Sequence, residues 1–277
     1  MKKILAISGG VDSMCLLHMY KDNPDTVVAH FNHGTRPSSD EDQLFVERFA
    51  AEYNLPFFTK KVLLGPDVSE ADARTARYDF LEELANKLNG KIFTAHHLND
   101  LVESIAINLL RGTGWRGLTP FYNTKVERPL LHFSKSKIYH YASKNQIIFR
   151  QDPTNNEESY LRNRLRPAVA ELIVRQPELA KNIESLYLKQ CDLRKNIEQI
   201  ESTCFPKNDI YPRAPFRELD NLSAEELLRA ILDSHDISVT RPQLRDFLDA
   251  VRTYNSGKKF NLPKDKLVGF NKTDFML

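Results

Sequence analysis

The stretch from Ile4 to Ser13 reads Ile-Leu-Ala-Ile-Ser-Gly-Gly-Val-Asp-Ser and decides the interpretation of the chain's first half. Its apolar beginning predicts a short buried strand, and the apolar residues after Ser13 predict a helix. Two glycines between them allow a sharp turn and close approach of a ligand to the backbone. A helix N-terminus also offers N–H groups and a positive dipole end to an anion. We therefore expect a phosphate-binding loop formed by Ser8, Gly9, Gly10, Val11, Asp12 and Ser13.

Asp12 is an unusual residue for an anion site. A carboxylate fits beside phosphates if a cation accompanies them, and Mg²⁺ prefers hard oxygen ligands. We therefore expect Mg²⁺ as a cofactor with Asp12 as its ligand. The alternative is an ordinary glycine turn. The stretch matches neither the glycine–lysine pattern of a Walker loop nor the spaced glycines of a dinucleotide fold, which argues against both of those sites.

Short β-rich runs alternate with longer amphipathic stretches through the first half. This alternation predicts an α/β fold with a parallel sheet and helices on both faces. The predicted strands are 3–7, 26–31, 56–62 and 91–95, and the predicted helices are 13–20, 40–53, 70–88 and 98–110. Ligands of such sheets bind beyond the carboxyl ends of the strands. The polar motifs described below follow those ends.

The second half has longer helical patterns. Ser134 predicts an N-cap, and Asn145 the end, of a helix over 135–141. Further helices are predicted over 177–202, after a capping box of Ser223 and Glu226, and after Thr240, with a proline-rich linker over 205–216. We expect residues 1–175 to form a catalytic domain and residues 176–277 a smaller, mainly helical domain.

Composition narrows the class of protein. The chain has 277 residues with 39 Lys and Arg against 37 Asp and Glu, a balance too small to indicate a nucleic-acid partner by itself. Cys15, Cys191 and Cys204 are far apart, so a disulfide framework, a zinc site and a redox pair are not expected. No apolar run approaches the ~20 residues that span a bilayer. We expect a soluble, cytoplasmic protein without a membrane partner.

Residues 30–36 read His-Phe-Asn-His-Gly-Thr-Arg after the second predicted strand. Two imidazoles, an amide and a guanidinium would gather at that strand's carboxyl end. Ordinary turn and surface residues are the alternative. We expect His30 and His33 to contribute to the nucleotide site.

Residues on the third predicted helix share one face. Glu70, Arg74, Arg77 and Tyr78 have the spacing that brings side chains together on a helix. A solvated face with local ion pairs is the alternative. Arg74 and Arg77 are weak candidates for contacts with a nucleotide or a substrate.

Residues 96–103 place two histidines beside two acids. If they lie on one helix, His96, Asp100 and Glu103 share a side. Helix capping by Asn99 or Asp100 is the alternative, and it explains one acid but not Glu103. Residues 108–114 then read Asn-Leu-Leu-Arg-Gly-Thr-Gly.

A basic cluster follows near residue 160. Arg162, Arg164 and Arg166 alternate along the chain, so they cannot all share one helix face. One or more should therefore turn inward or toward a ligand, and a plain basic surface is the alternative.

These motifs resemble those of PP-loop enzymes, which split ATP between the α and β phosphates. In order and spacing they are most similar to tRNA(Ile)-lysidine synthases. The resemblance rests on residues 8–13, 30–36, 70–78, 96–103, 108–114, 128–135, 152–155 and 160–166. It departs at Thr35, at Ser104 and at Asn99, where many members carry Asp, so the resemblance assigns no metal or base role to position 99.

The resemblance implies an ATP-dependent ligase that joins free lysine to C2 of the wobble cytidine in the CAU anticodon of tRNA(Ile). The cytidine would first be adenylated, releasing pyrophosphate, and AMP would leave when lysine attacks. The implied catalytic residues are Asp12, Asp100, Glu103 and Arg162. ATP would contact the phosphate loop together with His30, His33, Arg111 and Gly112. Asp100 and Glu103 would bind lysine. Contacts to tRNA are expected from Arg74, Arg77, Arg164, Arg166, Lys258, Lys259, Lys264 and Lys266.

Three other functions and a homodimer stay open at this point. A PP-loop tRNA thiolase would require a catalytic cysteine near the site, whereas Cys15 lies inside the first predicted helix. A small-molecule synthetase would use ammonia from a glutaminase. A non-catalytic ATP- or RNA-binding module would bind ATP without releasing pyrophosphate.

Overall fold

The computed structural model describes residues 1–34, 39–62, 70–150, 161–205, 209–263 and 265–277, without the side chains of 70–71 and 161–163. The described chain divides into two compact units, Met1–Leu188 and Lys189–Leu277, here called the N-terminal and C-terminal units. The division falls inside one long helix, and the predicted domain boundary at residue 175 stays a prediction. Within the described residues, no helix is long and apolar enough to cross a membrane.

The N-terminal unit is built on a parallel sheet of five strands. Their order across the sheet is β3-β2-β1-β4-β5. The strands are β1 (Lys2–Ala6), β2 (Thr26–Asn32), β3 (Phe57–Lys61), β4 (Gly90–Phe93) and β5 (Val126–Glu127). The helices are α1 (Val11–Tyr20), α2 (Ser39–Glu52), α3 (Glu70–Leu88), α4 (Leu98–Leu110), α5 (Lys135–Lys144) and α6 (Leu161–Arg175), with a 3-10 turn at Trp115–Leu118. The predicted α/β fold is confirmed.

Alternating side chains of the strands bury both faces of the sheet. Leu5 of β1 joins an apolar cluster with residues of α1, α2 and α5, whereas its neighbour Ile4 joins a second cluster with residues of α3. This alternation follows from the two-residue period of a strand. Helices therefore cover both faces, as the sequence pattern predicts.

The strand order reverses beside β1. The chain runs from β1 to β2 and β3 on one side, and then continues with β4 and β5 on the other. In open α/β sheets, ligands bind where the order reverses, outside the carboxyl ends of the strands. We therefore expect a ligand-binding site in the crevice between the ends of β1 and β4. We call it the switch point.

The C-terminal unit combines helices with a small antiparallel sheet. Its elements are the end of α7 (Pro177–Cys204), β6 (Ile210–Pro212), α8 (Ala214–Glu218), α9 (Asn221–Ser234), α10 (Arg241–Thr253), β7 (Lys259–Leu262), β8 (Lys266–Phe270) and β9 (Asp274–Met276). The strand order is β6-β9-β8-β7. The mainly helical character is confirmed, while the sheet was not predicted.

Two local predictions in this unit are wrong. The segment interpreted as a linker carries β6 and most of α8, and Phe205, Tyr211 and Phe216 are buried in the core. Its prolines do not exclude structure, because Pro212 ends the edge strand β6 and Pro215 lies in the first turn of α8. The N-cap of α9 is Asp220 rather than Ser223, since the Asp220 carboxylate accepts from the backbone N–H groups of Leu222 and Ser223.

Candidate active site

The phosphate loop lies at the switch point, between the end of β1 and the start of α1. Gly10 is the N-cap of α1, so no side chain from that position covers the first N–H groups of the helix. The Ser13 hydroxyl donates to Gly10 O at 2.9 Å and accepts from Ser8 N–H at 3.2 Å. The buried Ser13 side chain therefore links the two ends of the loop, whereas Ser8 is exposed.

Glycine is needed at the two loop positions for different physical reasons. Gly9 has φ +93°, a conformation that other residues rarely adopt. Gly10 has an ordinary φ of −72°, and a Cβ there would lie 3.7 Å from Ser8 Oγ. Backbone geometry therefore requires Gly9, while Gly10 leaves the first N–H groups of α1 without a side chain from the N-cap.

His30 near the end of β2 and His33 just after it have different surroundings. His30 is buried, and its Nδ1–H donates to Ile7 O at 2.8 Å, so it braces the backbone that enters the phosphate loop. His33 is partly buried, with its ring edge-on to Phe31. Burial lowers the pKa of both imidazoles, which favours the neutral forms.

The N-terminus of α4 faces the phosphate loop from β4. His97, rather than His96, is its N-cap: His97 Nδ1 accepts from Asp100 N–H, and the Asp100 carboxylate accepts from His97 N–H. The prediction that His96 shares a helix face with the two acids is wrong, because α4 begins after His97. His96 instead meets Thr94 Oγ1 at 2.8 Å.

His97 connects the two sides of the switch point. Because its Nδ1 accepts a hydrogen bond, the neutral ring carries its proton on Nε2, and Nε2 lies 3.7 Å from Asp12 Oδ1. Burial lowers the pKa of His97, while Asp100 and Asp12 oppose that change. The ring is thus a neutral bridge between the acid of the phosphate loop and the acid of α4.

Asp12 also contacts Lys135, a residue to which the sequence analysis assigned no role. Lys135 Nζ lies 2.7 Å from both carboxylate oxygens of Asp12, and both side chains are about one-third exposed. Asn99 is buried on α4, and its Oδ1 accepts from Lys135 N–H at 2.9 Å. The N-cap signal at Ser134 could have placed Lys135 at a helix start, but not beside Asp12.

Glu103 lies one turn further along α4 and is buried. Its Oε2 is 3.6 Å from Nε of Arg166 on α6. Arg164, in contrast, is exposed. The side chain of Arg162 lies outside the described residues, as do Arg36, residues 152–155 and Lys264.

Arg111 and Gly112 lie at the other end of α4. The helix has 13 residues, which separates them from His97 by about 20 Å along its axis. Gly112 has φ +73° and follows the C-cap Arg111, which explains this glycine by helix termination. The placement gives no support to the expectation that these two residues bind ATP.

The arginines of α3 form a separate basic cluster. The guanidinium groups of Arg74 and Arg77 lie 5.0 and 5.6 Å from the ring centroid of Tyr78.

Two other sets of basic residues lie elsewhere in the chain. Burial lowers the pKa of Arg128, whose Nη1 donates to Phe121 O and Val126 O. Lys258 and Lys259 are exposed in the C-terminal unit.

Known proteins share this arrangement of loop and sheet. A sequence profile described as a PP-loop domain matches residues 1–173. The chain belongs to the PP-loop family. Its PP-loop domain is similar to the tRNA(Ile)-lysidine synthase of Thermotoga maritima, with 39% identity over 185 residues, covering 61% of this chain and 44% of that protein.

Two further comparisons extend the similarity. A tRNA(Ile)-lysidine synthase from Exiguobacterium sibiricum is 30% identical over 249 residues, covering 85% of this chain and 59% of that protein. The chain thus spans about half the length of these curated relatives. Among solved structures, the U34-tRNA thiolase NcsA from Methanococcus maripaludis covers 69% of this chain and 73% of its own, with a TM-score of 0.56 and 16% identity. That likeness supports the PP-loop fold alone.

Proposed function

We propose that this PP-loop chain is an ATP-dependent ligase that forms lysidine in tRNA(Ile). One observation carries the proposal. His97 lies between the phosphate loop and α4, and it contacts Asp12 on one side and Asp100 on the other. An acid suited to binding an amine would therefore lie beside a loop suited to binding the phosphates of ATP. The similarity to lysidine synthases supports lysine and tRNA as the other substrates.

In the first step, the C2 oxygen of the wobble cytidine attacks the α-phosphate of ATP, and pyrophosphate leaves. The N–H groups at the start of α1 and the exposed Ser8 hydroxyl can stabilise the leaving group. Arg162 is proposed to stabilise charge on the transferring phosphate.

Mg²⁺ is the proposed cofactor of this step. The described residues contain no group of three or more His, Cys, Asp or Glu side chains that could hold a metal ion. In nucleotide sites, however, Mg²⁺ commonly uses one or two carboxylates together with substrate phosphates. Asp12 fits that mode, since an ionised carboxylate has about four lone-pair sites and can serve Lys135 and a metal together. The ion would neutralise charge on the pyrophosphate.

In the second step, the amine of lysine attacks C2 of the adenylated base and AMP leaves. The amine must be neutral to act as a nucleophile. Glu103 is proposed to bind the incoming ammonium and take its proton, with Arg166 holding the carboxylate in place. Asp100 is proposed as a second lysine ligand, although its Oδ2 also caps α4.

RNA contacts are proposed from basic residues in both units. They are Arg74, Arg77, Arg164, Arg166, Lys258, Lys259 and Lys266. Phosphate contacts of this kind would make binding weaken steeply with salt. A homodimer is compatible with this scheme but is not needed by it.

The test is incorporation of radiolabelled lysine into an unmodified tRNA(Ile) transcript with a CAU anticodon, in the presence of ATP and Mg²⁺. We expect the unaltered chain to label the RNA, and Asp12→Ala and Glu103→Ala to abolish labelling. Release of pyrophosphate without lysine incorporation would reject lysidine synthesis and favour another nucleophile. ATP binding without pyrophosphate release would instead favour a non-catalytic module.

A further inference from the structure

Lys135 brings a cation to the phosphate loop. Two of the three N–H donors of its ammonium are accounted for by the carboxylate oxygens of Asp12, each 2.7 Å away. Nζ also lies 5.2 Å from the centroid of the Tyr139 ring. A third donor remains available to a ligand without breaking the contact with Asp12.

The start of α5 is fastened to α4, which fixes the position of Lys135. The backbone N–H of Lys135 donates to Asn99 Oδ1, and Leu98 N–H donates to Phe133 O at 3.0 Å. Ser134 caps the helix by accepting from Lys137 N–H. These bonds fix the backbone from which the Lys135 side chain reaches Asp12, and Asn99 supplies one of them.

The charge around the loop shows why such a cation matters. In an ATP complex, the loop would hold several negative phosphate charges beside the negative Asp12. Within the described residues, the Asp12 carboxylate lies 2.7 Å from Lys135 Nζ and 3.7 Å from Nε2 of the buried His97. Because burial favours the neutral form of His97, Lys135 is the cationic partner of Asp12.

We propose that Lys135 binds the β and γ phosphates of ATP, and the departing pyrophosphate, and that Asn99 positions it. This inference rests on the proposed function, because it assigns a further ligand-binding residue within the same ATP site. Asn99 then has a positional role that an aspartate could also fill, since either side chain offers an oxygen to the Lys135 N–H.

The test compares three ligands by isothermal titration calorimetry of the full 277-residue chain. The ligands are ATP, pyrophosphate and AMP, each with Mg²⁺. We expect Lys135→Ala to weaken binding of ATP and pyrophosphate by about ten- to a hundredfold, as loss of a charge-assisted hydrogen bond would. AMP lacks those phosphates and should bind as it does to the unaltered chain. Lys135→Arg should restore much of the affinity.

A matched control lies on the same helix. Lys137 is exposed, and Lys137→Ala should leave binding of all three ligands unchanged. At the positioning residue, Asn99→Asp should bind ATP like the unaltered chain, whereas Asn99→Ala should show a smaller loss than Lys135→Ala, again confined to ATP and pyrophosphate.

The outcomes separate the inference from the proposed function. If the unaltered chain binds neither ATP nor pyrophosphate, the proposed function fails and the inference with it. If the unaltered chain binds ATP but Lys135→Ala binds it equally well, the inference alone is rejected. Equal weakening of ATP and AMP would show that Lys135 only supports the fold of the loop, which also rejects it.

Discussion

Glu103 in the N-terminal unit and Arg213 in the C-terminal unit are both buried charged residues, yet their surroundings differ. Arg213 is 1% exposed and donates to three backbone carbonyls, those of Val251, Tyr254 and Asn271, at 2.5, 2.7 and 2.7 Å. Glu103 is 4% exposed and faces the Arg166 guanidinium at 3.6 Å. The Arg213 guanidinium is held by the backbone of its own unit, whereas Glu103 lies on α4, the helix that follows β4 at the switch point.

The same contrast extends to their neighbours. Around the switch point, buried polar residues lie near or beyond the carboxyl ends of the strands; they are His30 near the end of β2, and Thr94, His97 and Asn99 after β4. The core of the C-terminal unit is apolar and includes Phe216, Phe247 and Phe275, and the Arg213 guanidinium lies 5.5 Å from the ring centroid of Phe270. A buried charge is therefore informative about function through its partners and its place in the topology, and burial alone does not distinguish chemistry from structural support.

The largest effect is expected from Glu103→Gln. Removing a general base typically costs about 10²- to 10⁴-fold in rate, so lysine incorporation should fall by that range. Since Gln is nearly isosteric with Glu, the melting temperature and ATP affinity should change little. The measurement pairs incorporation kinetics with thermal unfolding.

Asp100→Asn is the matched comparison on the same helix. Its amide oxygen can keep the cap on α4, so we expect a smaller loss of rate, seen mainly as a raised KM for lysine. If Glu103→Gln incorporates lysine normally but is less stable, Glu103 has a structural role, as Arg213 does.

Arg213→Met tests the other side of the comparison. It removes the donors of three backbone carbonyls, and we expect the free energy of unfolding of the C-terminal unit to fall by roughly 3 kcal/mol, or more if the carbonyls stay dry. ATP binding by the N-terminal unit should persist. Urea unfolding followed by circular dichroism gives the first quantity, and calorimetry the second.

The neighbouring Arg217→Met is the control for this change. Arg217 is exposed and has a single longer hydrogen bond, from Nε to Arg252 O at 3.3 Å. Its loss should cost less than about 0.5 kcal/mol, as is usual for surface substitutions. Equal effects of the two substitutions would contradict a special role for Arg213.

The pH dependence of stability should reflect the buried histidines of the N-terminal unit. Burial lowers the pKa of His30 below its usual value of 6.5. The unfolded chain therefore takes up a proton more readily, and the stability that neutral His30 contributes is present above pH 6.5 and lost as the pH falls below it.

The measurement is the free energy of unfolding at pH 7.5 and pH 5.5. His30→Asn can keep a donor toward Ile7 O, and it should reduce the loss of stability between pH 7.5 and pH 5.5. The exposed His140→Asn is the control and should not alter the pH slope. An unchanged slope in His30→Asn would show that His30 does not drive this dependence.

The smallest effect concerns the thiols. Burial, followed by the nearby Asp12, raises the pKa of Cys15 to about 11, whereas Cys204 is exposed. Iodoacetamide at pH 8 should therefore modify Cys204 and spare Cys15 in the folded protein, with lysine incorporation unchanged. Rapid alkylation of Cys15 with loss of activity would contradict this prediction and favour the thiolase alternative. Peptide mass spectrometry gives the modified positions.

Local patterns predicted those parts of the fold that local physics controls. The alternation of strands and helices, the cap at Ser134, the helix after Thr240 and the glycine turn after β1 depend on neighbouring residues, and each is confirmed. The linker over 205–216 was mispredicted because its aromatic residues are buried by contacts with distant β9, α9 and α10. Sequence proximity carries no information about such contacts.

The sequence by itself determined that a phosphate loop follows a buried strand and that Asp12, Asp100 and Glu103 are the acids to consider. Only the tertiary structure decided their partners: His97 rather than His96 as the bridge, Lys135 beside Asp12 and Arg166 beside Glu103. Asp12 and Lys135 are 123 positions apart. The physical reason is that a strand order of β3-β2-β1-β4-β5 brings the ends of β1 and β4 together, and strand order is set by the packing of the whole sheet.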